Sequence, residues 1–200
     1  MVPFHISSGE EAKIYLRIRH YRDRFFEPVC AILAKHRFSP DLLSYLGIFC
    51  ALIFALFFAF NIWLAFLFLL LNQVFDSLDG SLARFTNKTS TLGSLTDTTA
   101  DHLSFLIVFM TLLYFRFLDA FWGAFYLTNY VVMIFLLVIL NFKQVKFFPV
   151  IKSKYIIYLL FLIMLISGAN FFDPVLVFFS IYMLIVNSFL FHKLRCSIGF

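Results

Sequence analysis

Asp76, Asp79, Asp97 and Asp101 stand close together in otherwise apolar sequence. A carboxylate in such surroundings must be paired, solvated or bound to a cation. Asp76 and Asp79 are three residues apart, Asp97 and Asp101 four, so on α-helices each pair shares one face. The short connection around Lys88 lets two such helices lie as antiparallel neighbours, which brings four carboxylates together at one depth. Their charges repel, and a ligand set made only of oxygen suits hard divalent cations such as Mg²⁺, Mn²⁺ or Ca²⁺. No histidine or cysteine joins at a zinc-like spacing. His102 reads as a satisfied structural histidine rather than a support for a metal. Gly80 and Ala83 share the broad face of the first pair, and Gly93 lies one turn before Asp97. Glycine costs about 1 kcal/mol in a helix relative to alanine, and close approach of a backbone or ligand accounts for it. Helix-to-helix packing would account for the small residues too, but not for the aspartates.

The elements that hold these residues must be membrane helices. The chain is 62% hydrophobic and 14% charged, with a mean hydropathy of +0.94, which excludes a water-soluble fold. With 31 Phe but only 7 Gly and 5 Pro, it is no disordered or collagen-like chain either. Cys30, Cys50 and Cys196 are widely separated and read as packing residues rather than a disulfide framework. The charge-free run Leu42 to Phe75 is too long for one helix across roughly 30 Å of hydrocarbon, so it turns, most naturally at Asn61. Further charge-free stretches run His102 to Phe115, Ala120 to Phe142, Tyr155 to Phe172 and Pro174 to Phe191. The expected fold is all-α, with six transmembrane helices. With both termini cytoplasmic, every one of the 16 basic residues except Arg116 falls on the cytoplasmic side, as the positive-inside rule requires. The net charge of +5 is then topological and calls for no nucleic acid.

The first 40 residues carry charge throughout, so no cleavable signal is expected. Ser8 and Glu11 read as a capping box. Ile14, Ile18, Tyr21 and Phe25 recur at helical spacing among arginines, giving an amphipathic helix that lies on the membrane or docks against the protein's own cytoplasmic ends. Ser39 and Pro40 read as the cap and first turn of the next helix. Residues 1–39 are thus expected as an interfacial segment and 40–200 as the six-helix membrane domain.

From Asp76 to Asp101 the sequence is DSLDGSLARFTNKTSTLGSLTDTTAD. It has the form D-x-x-D-G-x-x-A-R, eight residues, G-x-x-x-D-x-x-x-D, and resembles the signature of the CDP-alcohol phosphotransferases, integral membrane enzymes of phospholipid head-group synthesis. All eight defining positions match: Asp76, Asp79, Gly80, Ala83, Arg84, Gly93, Asp97 and Asp101. The segment SPDLLS, Ser39 to Ser44, is similar to the family's entry to its first span, although Asn and Thr are more usual where Asp41 and Ser44 stand.

The resemblance implies transfer of a phosphatidyl or related lipid-phosphate group from a CDP-linked lipid, CDP-diacylglycerol or similar, to a small alcohol, with release of CMP. It implies two divalent ions, Mg²⁺ or Mn²⁺, about 4 Å apart, held by Asp76, Asp79, Asp97 and Asp101. Asp101 is the implied catalytic base. Asp76, Gly80, Ala83, Arg84 and Gly93 are the implied contacts to CDP, and a homodimer is implied as well. The active site would face the cytoplasm of a prokaryotic inner or plasma membrane. The basic cluster Lys143, Lys146, Lys152 and Lys154 has two open readings: a site for a phosphorylated acceptor such as inositol phosphate or glycerol 3-phosphate, or topology signals that touch anionic lipid. The competing function class is a divalent-cation channel or ion-coupled transporter. It would place the acids near the midplane, with broken helices or a repeated motif, and none of these is apparent.

Overall fold

The computed structural model of the chain describes residues 10–143, 145, 150 and 153–198, and for 10–18, 91, 141 and 198 the backbone alone. The described residues form seven α-helices and no strand: α1 Glu10–Lys35, α2 Pro40–Phe58, α3 Ile62–Phe85, α4 Thr91–Tyr114, α5 Ala120–Phe142, α6 Ser153–Ser167 and α7 Phe172–Ile198. Four of them, α2, α3, α5 and most of α7, are long and apolar enough to cross a membrane. α6 is apolar but shorter, at 15 residues. α4 has the length, at 24 residues, but its first half carries the polar sequence around Asp97 and Asp101. The chain folds into two compact units, one running from α1 into α4 and the other from Leu112 to the C-terminus.

The expected helix boundaries hold where local chemistry sets them. Ser39 is extended and its side chain accepts from Leu42 N at 3.2 Å, with Pro40 in the first turn. Asn61 caps α3, accepting from Trp63 N at 3.1 Å and Leu64 N at 3.0 Å. That makes the α2–α3 turn. Three other helix ends close by a paired reverse bond, each with the second residue past the helix in the left-handed region: Arg37 after α1, Asn87 after α3 and Arg116 after α4. At α3, Lys88 N reaches Ala83 O at 2.9 Å and Asn87 N reaches Arg84 O at 3.1 Å, which satisfies the last carbonyls without a glycine. The Ser8–Glu11 box lies outside the described side chains.

In the first unit, α2 runs against α3 and α1 crosses the end of α3. Cys30 of α1, Leu43 of α2 and Leu78 and Leu82 of α3 form a buried cluster, with Phe26, Leu33, Ala34, Leu46 and Phe75 around it. Burial, then the charge of Asp23, push the Cys30 thiol up, which fits a packing role. The face of α1 that packs is therefore the Phe26–Cys30–Leu33 face. Tyr21 and Phe25 point away from it, 66% and 76% exposed, and Val29 and Ile32 continue their stripe. On α2 the outer face, Leu42, Tyr45, Phe49, Leu52 and Leu56, is as apolar as the inner one and is exposed. Only lipid suits such a surface. Lipid also removes the hydrophobic drive between helices, so close packing and interhelical hydrogen bonds must join them. Gly47 permits this: a side chain there would begin 3.5 Å from Asn72 Nδ2 and 3.9 Å from Phe75 Cβ, and Asn72 Nδ2 donates to Gly47 O at 2.9 Å.

In the second unit, α5 packs along α7 and touches the first residue of α6. Asn187 Nδ2 donates to Asn129 O at 2.9 Å, and the Tyr126 and Ser153 hydroxyls lie 2.7 Å apart. The loop before α5 is tied to the loop before α7 by Asn170 Nδ2 donating to Phe117 O at 2.8 Å and to the first turn of α7 by Asp119 N donating to Asp173 Oδ1 at 3.0 Å.

Candidate active site

Residues Asn72 to Asp79 of α3, Asp97 to Ser104 of α4 and Ser44 and Gly47 of α2 face a cleft of about 190 Å³. It is lined by Ser44, Gly47, Asn72, Asp76, Asp79, Asp97, Ala100, Asp101 and Ser104. All four aspartates singled out by their spacing share it. Asp79 is the most enclosed, 3% exposed, and it is fixed from both sides. Ser44 Oγ donates to its Oδ2 at 2.6 Å, and the Gly80 amide donates to its Oδ1. Asp76, Asp97 and Asp101 are half-buried.

The donor set suits hard divalent ions: four carboxylates with no histidine or cysteine among the lining residues. Among the described residues, no three such side chains are already drawn into a closed metal cage. The fit therefore rests on donor chemistry and on the shared cleft, with Asp79 oriented in advance by α2. His102, half-buried, is not part of the lining.

The remaining motif residues sit elsewhere on the same helices. Gly80 and Arg84 face α1. Arg84 Nε donates to Asp23 Oδ2 at 2.7 Å and its Nη2 donates to Asp23 Oδ1, a two-pronged pair of the strong kind. Ser81 Oγ adds a third donor to Asp23 at 2.8 Å. Ala83 is half-buried outside the cleft lining. Gly93 lies by the start of α2: a side chain there would begin 3.1 Å from Ser90 Oγ and 3.8 Å from Asp41 Oδ1. Lys154, 4% exposed, belongs to the second unit with its ammonium 4.9 Å from the Tyr155 ring centre. Lys143 is exposed, and Lys146 and Lys152 lie outside the described residues.

Sequence reasoning passed over Ser44, Asn72, Ser104, Arg22 and Asp23. The available signal for Ser44, Asn72 and Ser104 was a small polar side chain in an apolar helix, which in lipid needs a partner on another helix.

The Asp23 clasp gives a pH prediction. Burial alone would raise its carboxyl, but the hydrogen bonds from Arg84 and Ser81 and the charges of Arg84 and Arg22 outweigh it and hold Asp23 below the usual carboxylate range. A carboxyl lowered on folding adds stability above its unfolded value of about 3.9, lost as pH falls through the lower folded value. Hydrogen-exchange protection of α1 should therefore exceed that of Asp23→Asn by a constant margin near neutral pH. The margin should close below about pH 4, and a margin that persists there would sink the assignment.

A model of the CDP-alcohol phosphatidyltransferase family matches residues 37–190. An uncharacterised protein of Aquifex aeolicus (strain VF5) is 35% identical over 97 residues, 48% of this chain and 50% of that protein. The chain thus spans about half the length of this curated relative. The family match covers the cleft, every signature position, three of the four apolar helices of spanning length and most of the fourth, and the chain is accordingly a multi-pass integral membrane protein that belongs to the CDP-alcohol phosphatidyltransferase family.

Proposed function

We propose that the protein transfers a phosphatidyl or similar lipid-phosphate group from a CDP-linked lipid to a small alcohol and releases CMP. The observation that carries this reading is the meeting of Asp76, Asp79, Asp97 and Asp101 in one cleft, within a chain of this family. In the reaction, the acceptor hydroxyl oxygen attacks the lipid-side phosphorus. The bond from that phosphorus to the bridging oxygen breaks, and CMP leaves with the electron pair. Asp101 accepts the hydroxyl proton. An alcohol is a far weaker acid than a carboxylic acid, so the proton moves late, as the new phosphorus–oxygen bond forms. Asp76, Asp79, Asp97 and Asp101 would hold two divalent ions, Mg²⁺ or Mn²⁺, which when bound supply neutralising charge for the diphosphate and the leaving CMP. Ser44 keeps the Asp79 carboxylate aimed into the cleft, and Gly80, Ala83, Arg84 and Gly93 shape the nucleotide side.

The topology proposed with it has six spans, α2 to α7, with both termini and the cleft on the cytoplasmic side of a prokaryotic inner membrane. Support comes from the segregation of all basic residues but Arg116. At about 1.5 Å per residue, α6 alone reaches roughly 22 Å, and residues beside it complete its span. α1, with residues 1–39, lies in the interface with Tyr21, Phe25, Val29 and Ile32 toward lipid, a stripe whose exposure supports this placement. A homodimer is proposed from the family. The acceptor is proposed to be a phosphorylated alcohol such as inositol phosphate or glycerol 3-phosphate, on the strength of the basic cluster Lys143, Lys146, Lys152 and Lys154 in the sequence.

A CMP-release screen tests this. Purified protein with Mg²⁺ and CDP-diacylglycerol is given serine, glycerol 3-phosphate, inositol phosphate, inositol or choline in turn. Release is expected only with a phosphorylated acceptor. Release with an unphosphorylated alcohol would refute the acceptor assignment, and none with any acceptor would count against transfer itself.

A further inference from the structure

On the face of α3 turned to α1, two guanidinium groups converge on one glycine. A side chain at Gly80 would begin 3.2 Å from Arg84 Nη1 and 3.9 Å from Arg22 Nη2. The space left by the missing side chain is thus rimmed by two cations from different helices. Asp23 already occupies Arg84 Nε and Nη2, so the edge of Arg84 nearest Gly80 is its Nη1. Arg22 Nε is buried and has no hydrogen-bond partner, which costs free energy that an arriving acceptor would recover. Asp23 offsets one of the two positive charges and holds Arg84 in place, so the group keeps a net charge of one cation. The pattern suits an anion with several oxygens, because planar guanidinium donors match phosphate geometry. Gly80 follows directly on Asp79, whose carboxylate lines the cleft, so an anion seated over Gly80 is one residue from the proposed reaction centre.

We propose that Arg22 and Arg84 form a phosphate-binding cradle over Gly80 that takes a phosphate of the nucleotide-linked substrate, with Asp23 as the positioning residue that sets Arg84. The assignment rests on the transferase reading and deepens it, because Arg22 and Asp23 precede the family match, which begins at residue 37. α1 thereby becomes part of the nucleotide site as well as a membrane-surface helix. The same oxygens could come from an anionic lipid headgroup. The nucleotide is preferred because Gly80 is the chain neighbour of Asp79, which lines the cleft.

The test measures binding of CMP and of cytidine to the full chain in nanodiscs of zwitterionic lipid, with wild type, Arg22→Gln, Arg22→Lys and Asp23→Asn. A charge-assisted bond of this kind corresponds to a loss of about ten- to hundredfold in affinity. Arg22→Gln is expected to weaken CMP by that factor and leave cytidine, which has no phosphate, unchanged. Arg22→Lys should fall between, since it keeps the charge and loses the fork, and it also serves as the readout if Arg22→Gln does not fold. Asp23→Asn should weaken CMP and spare cytidine. Wild-type affinity for CMP in folded Arg22 variants would overturn the cradle alone, as would equal losses for CMP and cytidine. So would an effect seen only as lost binding to phosphatidylglycerol vesicles. A wild-type chain that binds no CMP in the presence of Mg²⁺ would overturn the transferase reading, and the cradle with it.

Discussion

Asp101→Asn is expected to lower CMP release by about 10²- to 10⁴-fold, the usual contribution of a positioned proton acceptor, while CMP still binds within a few-fold of wild type. The side chain is half-buried in the cleft wall on α4, one turn beyond Asp97. Asparagine keeps its size and one oxygen but cannot take the acceptor's proton at any working pH. The change leaves the helix, the cleft and three of the four carboxylates in place. The loss should therefore appear in kcat far more than in KM for the CDP-linked lipid. Paired measurements of CMP release and CMP binding check it. Near-normal turnover in Asp101→Asn would move the base elsewhere, and equal collapse of binding and turnover would make Asp101 chiefly a ligand-holding group.

Much of the machinery could be read from the chain because it is local. The quartet was legible from offsets of three and four residues, the α2–α3 turn from Asn61 between two phenylalanines, and the entry to α2 from Ser39–Pro40. Each depends on a few neighbouring residues. What escaped depends on residues far apart in sequence. Ser44 reaches Asp79 across 35 positions, and Arg84 reaches Asp23 across 61. No periodicity encodes such pairs. The packing face of α1 was hidden for another reason: the helix is apolar on two sides. The regular stripe through Tyr21 and Phe25 drew attention, while Phe26, Cys30 and Leu33, one residue out of phase, make the contact with α3. Hydropathy alone marks α4 only from His102, but the spacing of Asp97 and Asp101 already puts them on a helix, and that helix starts at Thr91.

Removing divalent ions is expected to have the largest effect of all. Four carboxylates in one cleft cannot all stay ionised without opposing charge, and the diphosphate adds more negative charge. Chelation with EDTA should bring CMP release to background, a loss of at least about 10³-fold for a reaction whose charge development rests on metal ions. Mg²⁺ or Mn²⁺ should restore it, and monovalent salt at equal ionic strength should not. Asp79→Asn should need much more metal for half-maximal activity, since it removes charge from the carboxylate that Ser44 holds in place.

The most direct measurement is Mn²⁺ binding to the purified chain, followed by electron paramagnetic resonance. Wild type is expected to take two ions with a spectrum broadened by their mutual coupling, and Asp79→Asn and Asp97→Asn should each lose that coupling. Uncoupled or absent Mn²⁺ in wild type, or a coupled pair that survives both substitutions, would contradict the assignment of these four side chains to one metal-holding site.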